Sequence, residues 1–154
     1  MKKITTDVAE MRALIAEEKP PRDIWDFKLI PGGLIDIEFI AQYLRLIAPA
    51  RAGSKDLPVD TYGLSTAQAL KALGEDLPER ADLDTCLEAL RLFTELSQII
   101  RLCVDGPFDA KDAPTGLVER ICRAGDCPDL VTLEGEVKRL SGEVRGVFER
   151  VMKR

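Results

Sequence analysis

The sequence contains no histidine, and this absence excludes several common kinds of active site. Ser-His and Cys-His nucleophile pairs are excluded, and so are metal sites that use imidazole ligands. The chain also has no block of more than two consecutive Lys or Arg residues, and its formal net charge is −5. Because a sequence-independent nucleic-acid surface needs a basic stripe, we expect no nucleic-acid partner.

Long apolar runs are missing as well. The longest candidate for a membrane span is interrupted by Asp36, Glu38, Gln42 and Arg45, so it falls short of the roughly 18 residues that a span needs. The N-terminal Met1-Lys2-Lys3 leads into a charged segment rather than into the apolar core of a signal peptide. We therefore expect a soluble, cytoplasmic chain with no membrane partner, forming one domain over residues 1–154.

Cysteines are few, and none belongs to a C-x-x-C pair. Cys122 and Cys127 have no second ligand pair with which to complete a tetrahedral zinc site, so we expect no bound metal. Cys86 and Cys103 are placed on the apolar stripe of one helix, roughly 25 Å apart at 1.5 Å per residue. That distance excludes a disulfide between them, and the sequence predicts four reduced, structural thiols.

Hydrophobic residues recur at helical spacing almost everywhere, which predicts an all-α fold, a bundle of about six helices. The predicted helices are a short first one carrying Val8, Met11, Leu14 and Ile15, then Leu34–Ala48, Leu64–Leu73, a long helix capped by Asp82 and ending near Cys103, Thr115–Ala124, and Asp129–Met152. The stretch Pro49–Leu64 has two prolines and two glycines and is predicted to be a loop.

Local signals support two of these helices. Ser65 with Gln68 three residues later is typical of a capping box, and Gly74 is a C-terminal stop. The last helix has an apolar seam at strict three- and four-residue steps, formed by Leu130, Leu133, Val137, Leu140, Val144, Val147 and Val151. This seam favours a long bundle helix docked on its neighbours, with a coiled coil as the alternative.

The segment from Trp25 to Leu46 is the most informative. In its middle, Ile35 to Phe39 alternates apolar and acidic residues. As a strand it would project Asp36 and Glu38 from one face, as in sites that hold magnesium. As a helix it would separate them by about 200°. The apolar run continues for about 15 residues, a length that favours the helix.

On that helix Glu38, Gln42 and Arg45 form one polar stripe, and Asp36 lies in the first turn, where a carboxylate is favoured. Gly32-Gly33 precedes the helix and leaves N–H groups of the kind that approach an anion or a neighbouring backbone. From the residues alone, an ordinary core helix with a capping Asp36 and a solvated stripe is favoured over a functional site, because polar stripes on buried helices are usually structural.

The pattern Lys28-x3-Gly32-Gly33-x2-Asp36-Ile37-Glu38-Phe39-Ile40-x-Gln42-Tyr43-Leu44 resembles the signature that opens the helical domain of glutamine synthetase adenylyltransferases, the bifunctional enzymes that adenylylate and deadenylylate glutamine synthetase. Uridylyltransferases that modify the PII signalling protein carry a related helical domain. The resemblance is strong from Trp25 to Leu46 and looser afterwards. It is closer to the C-terminal, adenylylating half of such enzymes.

In that family a nucleotidyltransferase domain with a Gly-Ser and an Asp-x-Asp strand holds two magnesium ions and precedes each helical domain. This chain has no such strand, and its Asp82-Leu83-Asp84 opens a predicted helix, where capping explains it. The chain therefore resembles a helical fragment that is inactive alone. The resemblance implies that the full-length enzyme uses ATP and Mg2+ to transfer AMP to a tyrosine of glutamine synthetase, in nitrogen regulation. It also implies three partners: its own nucleotidyltransferase domain, glutamine synthetase and PII.

Six residues are expected to face the nucleotidyltransferase domain and to close one side of its nucleotide cleft: Lys28, Gly32, Gly33, Asp36, Glu38 and Gln42. We infer their roles from residue type and position, with Lys28 near phosphate charge, the glycines allowing close backbone approach, and Glu38 and Gln42 hydrogen-bonding across the interface. The alternatives are a helical domain of a PII uridylyltransferase-like protein, a non-enzymatic module that binds PII or glutamine synthetase, and a protein that self-associates through the seam of the last helix.

Overall fold

The computed structural model describes residues 2–52 and 63–153, and these contain six α-helices and no β-strand. The helices are α1 (Lys2–Glu18), α2 (Leu34–Ala52), α3 (Thr66–Leu73), α4 (Arg80–Cys103), α5 (Thr115–Ala124) and α6 (Leu130–Met152), with a short 3₁₀ turn, Gly74–Asp76, after α3. The predicted all-α bundle is confirmed. Within the two described ranges, no helix is long and apolar enough to cross a membrane.

Helix α2 is the centre of the bundle and packs against α1, α3, α4 and α6. Its side chains Ile37, Ile40 and Leu44 have no solvent exposure, as expected for a run that is apolar in most directions. The alternating segment is therefore helical, and its two carboxylates diverge: Asp36 is buried and Glu38 is exposed. The helical interpretation of this segment is confirmed.

The predicted end of α2 was wrong. The helix continues past Ala48 through Pro49 to Ala52, although Pro49 was expected to open a loop. A proline so close to a helix end removes a single backbone hydrogen bond, and the buried Ile47 and Ala48 anchor the turn before it. The part of the predicted loop from 53 to 62 lies outside the described residues.

Helices α4 and α6 lie side by side in opposite directions. Arg150 near the end of α6 pairs with Asp82 near the start of α4, and Arg139, earlier in α6, pairs with Glu88, later in α4. The seam of α6 faces the bundle, and its buried members are Leu133, Val137, Leu140, Val144, Val147 and Val151. Asp129 caps the helix by accepting the Thr132 N–H at 2.7 Å. The docked bundle helix is thus confirmed over the coiled coil.

The capping predictions had mixed outcomes. Ser65 and Gln68 form the predicted capping box at α3, with the Ser65 N–H donating to Gln68 Oε1 at 2.9 Å. Helix α4 begins three residues earlier than predicted, because Glu79 is the N-cap in place of Asp82, and Asp82 is the third helical residue. Asp82 accepts the Glu79 N–H at 3.0 Å, so it stabilises the same helix start from inside.

Helix α1 is rotated relative to the predicted apolar stripe. Met11 is 51% exposed and Leu14 is 48% exposed, whereas Thr5 and Arg12 are buried. We attribute this rotation to electrostatics, since Arg12 forms an ion pair with the buried carboxylate of Asp36 on α2. The face of α1 that carries Arg12 therefore points into the bundle.

The cysteines are free, as expected for reduced thiols. Cys86 and Cys122 are buried and Cys127 is half-buried. Burial raises the pKa of the Cys86 thiol to about 12. Cys103 is exposed, contrary to its predicted place on the apolar stripe, because α4 ends there beyond the cover of its neighbours and the adjacent Leu102 is exposed too.

Candidate functional site

The turn before α2 folds back on the start of the helix through backbone hydrogen bonds. The Gly33 N–H donates to the Ile30 carbonyl at 2.8 Å, the Leu34 N–H to the Phe27 carbonyl at 2.8 Å, and the Ile35 N–H to the Lys28 carbonyl at 3.3 Å. A helix N-terminus attracts anions because its first N–H groups lack partners. Here these three amides are satisfied by the chain itself.

Gly32 brings this turn into contact with the backbone of α6. Its φ is +75°, a conformation that favours glycine, and a methyl group at its Cα would overlap the Ser141 carbonyl oxygen and lie 2.9 Å from the Arg145 nitrogen. At Gly33 a methyl group would collide with the Phe27 carbonyl oxygen. The two glycines are therefore required for close backbone approach within the bundle.

Asp36 joins three helices at one buried point. Its carboxylate accepts hydrogen bonds from Arg12 Nε of α1 and, at 2.6 Å, from the Gly32 N–H, and Arg145 Nη1 of α6 lies 3.4 Å away. Arg12 Nη2 donates in addition to the Leu29 carbonyl at 3.2 Å. A buried carboxylate with this many donors is compensated by protein groups, so it has no vacant side for a metal ion or a substrate.

The six predicted site residues therefore fall into two groups. Gly32, Gly33 and Asp36 are buried and cannot present side chains to another domain, so the structure corrects their expected surface position. Lys28, Glu38 and Gln42 are exposed.

The three exposed residues converge on one cleft of about 220 Å³. Besides Lys28, Glu38 and Gln42, the cleft is lined by Ile15, Ile35 and Phe39. We call this surface the motif face. It presents one cation, one anion and one amide beside three apolar side chains, a mixture suited to contact with another protein surface.

Arg45, the third member of the predicted polar stripe, has a different partner. Its Nη2 donates to the carbonyls of Leu64 and Ser65, so it ties α2 to the start of α3. It is therefore a structural residue of the bundle rather than part of the motif face.

The second acidic pattern is also structural. Asp82 is buried and pairs with Arg150, whose pKa is raised chiefly by this hydrogen bond, while Asp84 of the same D-x-D is exposed. Within residues 2–52 and 63–153, no group of three or more Cys, Asp or Glu side chains is arranged to hold a metal ion. The residues described here thus do not fit the two-magnesium site of a nucleotidyltransferase.

The sequence did not indicate three structural arginines, Arg12, Arg145 and Arg150, each of which pairs with a buried carboxylate. One signal was present for Arg12. It lies four residues after Val8 and three before Ile15, which is the spacing of a buried helix face.

Comparison with known proteins identifies several similar sequences. The chain is 62% identical over 97% of its length to the bifunctional glutamine synthetase adenylyltransferase/adenylyl-removing enzyme of Rhizobium meliloti, and 57% identical over 98% to that of Agrobacterium fabrum. It is 43% identical over 97% to that of Rhodopseudomonas palustris. The chain spans about 15% of the length of these relatives. No protein-family model and no solved structure matches it. The resemblance inferred from the motif is confirmed.

Proposed function

We propose that this chain, whose sequence corresponds to a helical segment of the bifunctional glutamine synthetase adenylyltransferase/adenylyl-removing enzymes, packs through its motif face against a nucleotidyltransferase domain of the same polypeptide. The observation that carries the proposal is the exposure of Lys28, Glu38 and Gln42 on one cleft. The remaining motif residues fix the backbone beneath that cleft.

The whole enzyme is proposed to transfer AMP from ATP to a tyrosine of glutamine synthetase, in nitrogen regulation. ATP and Mg2+ belong to the nucleotidyltransferase domain in this proposal, because Asp36 and Asp82 are both engaged by arginines. The Lys28 ammonium then borders the nucleotide cleft, where it offsets phosphate charge. Glu38 and Gln42 hydrogen-bond across the interface. The chain alone is proposed to be inactive, and PII is kept as a proposed partner of the whole enzyme.

The test uses the full-length Rhizobium meliloti enzyme in which this chain replaces the matching segment. Lys28→Ala and Glu38→Ala are compared with Lys111→Ala and Glu119→Ala, which remove the same two charges from exposed positions far along the chain. We expect the first pair to lower the adenylylation rate while the melting temperature stays near that of the parent. Equal activities in all four variants would refute the role of the motif face.

Self-association through the seam of α6 has no support, because its apolar side chains are already buried in the bundle. If the chain is instead a module that only binds PII or glutamine synthetase, Lys28→Ala and Glu38→Ala should weaken binding of that protein. The adenylylation rate at a saturating concentration of that protein should then stay unchanged.

A further inference from the structure

Helix α1 has an unusual distribution of polarity. Arg12 is only 3% exposed and lies inside the bundle, whereas Met11 and Leu14 are about half exposed on the outside. Met11, Leu14, Leu46, Leu102 and Val131 are the large apolar side chains exposed among the described residues. Two of these therefore belong to one helix of 17 residues.

The exposed apolar side chains of α1 adjoin the motif face. Met11 is one turn before Ile15, and residues four apart on a helix share a face. Ile15 itself lines the cleft with Lys28, Glu38 and Gln42. On α2, Leu46 is one turn after Gln42 and is 53% exposed. The apolar side chains thus extend the motif face at both helices.

We propose that Met11 and Leu14, together called the outer face of α1, belong to the same docking surface as the motif face and bind the adjoining domain of the same polypeptide. This inference rests on the proposed function and extends its interface along α1 beyond Ile15. The relatives are more than six times longer than the chain, so the polypeptide they represent has other domains to pack here.

The charges around this face define the chemistry of the occupant. Asp7, Glu10 and Glu18 of α1 are exposed beside Met11 and Leu14. The matching surface is therefore apolar at its centre and carries Lys or Arg at its rim. A second copy of this chain would bring these carboxylates towards one another, which disfavours self-association through the outer face of α1.

Thiol labelling of the full-length Rhizobium meliloti enzyme with this chain in place tests whether another domain covers the outer face of α1. Leu14→Cys and Gln42→Cys are compared with Val131→Cys, an exposed apolar position on another helix, and each site is read by peptide mass. We expect labelling at position 14 to be slower than at position 131 by about tenfold or more, the effect of a mostly closed docking equilibrium. Mild urea or high salt should reduce the difference.

The outcomes separate this inference from the proposed function. Fast labelling at position 14 with protection at position 42 overturns the role of α1 and leaves the motif face intact. Fast labelling at both positions overturns both. Protection at position 14 that grows with protein concentration identifies a second copy as the occupant, and protection only after glutamine synthetase or PII is added identifies that protein; either result overturns the inference.

Discussion

Gly32→Ala is the substitution for which the structure specifies the largest local cost. The residue has φ +75°, where an alanine costs roughly 1–2 kcal/mol. The added methyl group would also lie 2.6 Å from the Ser141 carbonyl carbon, and relieving such an overlap by shifting α6 costs typically about 1–3 kcal/mol. We therefore expect a total loss of about 2–5 kcal/mol in the free energy of unfolding, measured by urea denaturation.

The matched control is Gly142→Ala, one residue after Ser141 on α6. Gly142 has nothing within 4 Å of the added methyl group, and an alanine in the middle of a helix is more stable than glycine by roughly 0.5–1 kcal/mol. The two identical chemical changes should therefore shift stability in opposite directions. If Gly32→Ala is neutral or stabilising, the packing of the turn against α6 is refuted.

Three further predictions concern the core, the thiols and one helix cap. Leu44→Ala should cost about 2–5 kcal/mol in urea denaturation, because the side chain is fully buried in α2; a loss as small as that of a surface substitution would contradict its central place. Under native conditions Cys103 should react with a thiol reagent well before Cys86, whose pKa is raised to about 12 by burial; mass spectrometry of the labelled peptides reports the order, and the reverse order would refute it. The pKa of Asp129 is lowered by the N–H of Thr132, so the stability that Asp129 contributes is present above its unfolded-state pKa and is lost as the pH falls through its folded-state pKa. Asp129→Ala should therefore lower the urea midpoint at neutral pH but not in strong acid. Equal changes in the midpoint at both pH values would contradict the cap.

Most of the fold could be predicted because its signals are local. The helix Thr115–Ala124 was predicted with its observed bounds, since the apolar spacing inside it and Gly125 after it are both in the sequence. The same holds for the capping box at Ser65 and for the buried seam of α6. Each of these features depends on residues a few positions apart.

The candidate site could be predicted only in part, because its buried contacts are non-local. Asp36 was expected either to cap the helix or to face the nucleotidyltransferase domain, but its partners Arg12 and Arg145 are 24 and 109 residues away, and no local pattern pairs them. The same pairing rotated α1 and exposed Met11 and Leu14. The sequence did indicate correctly that Glu38 and Gln42 of α2 face away from the core of the bundle.

The surface that the motif face contacts can be identified by photocrosslinking. A photocrosslinking amino acid at Gln42 of the full-length Rhizobium meliloti enzyme with this chain in place is compared with one at Glu119, an exposed residue of α5. We expect a cross-link from position 42, and not from position 119, to a nucleotidyltransferase domain of the same polypeptide. A cross-link from position 42 only to glutamine synthetase or PII, or none at all, would contradict this expectation.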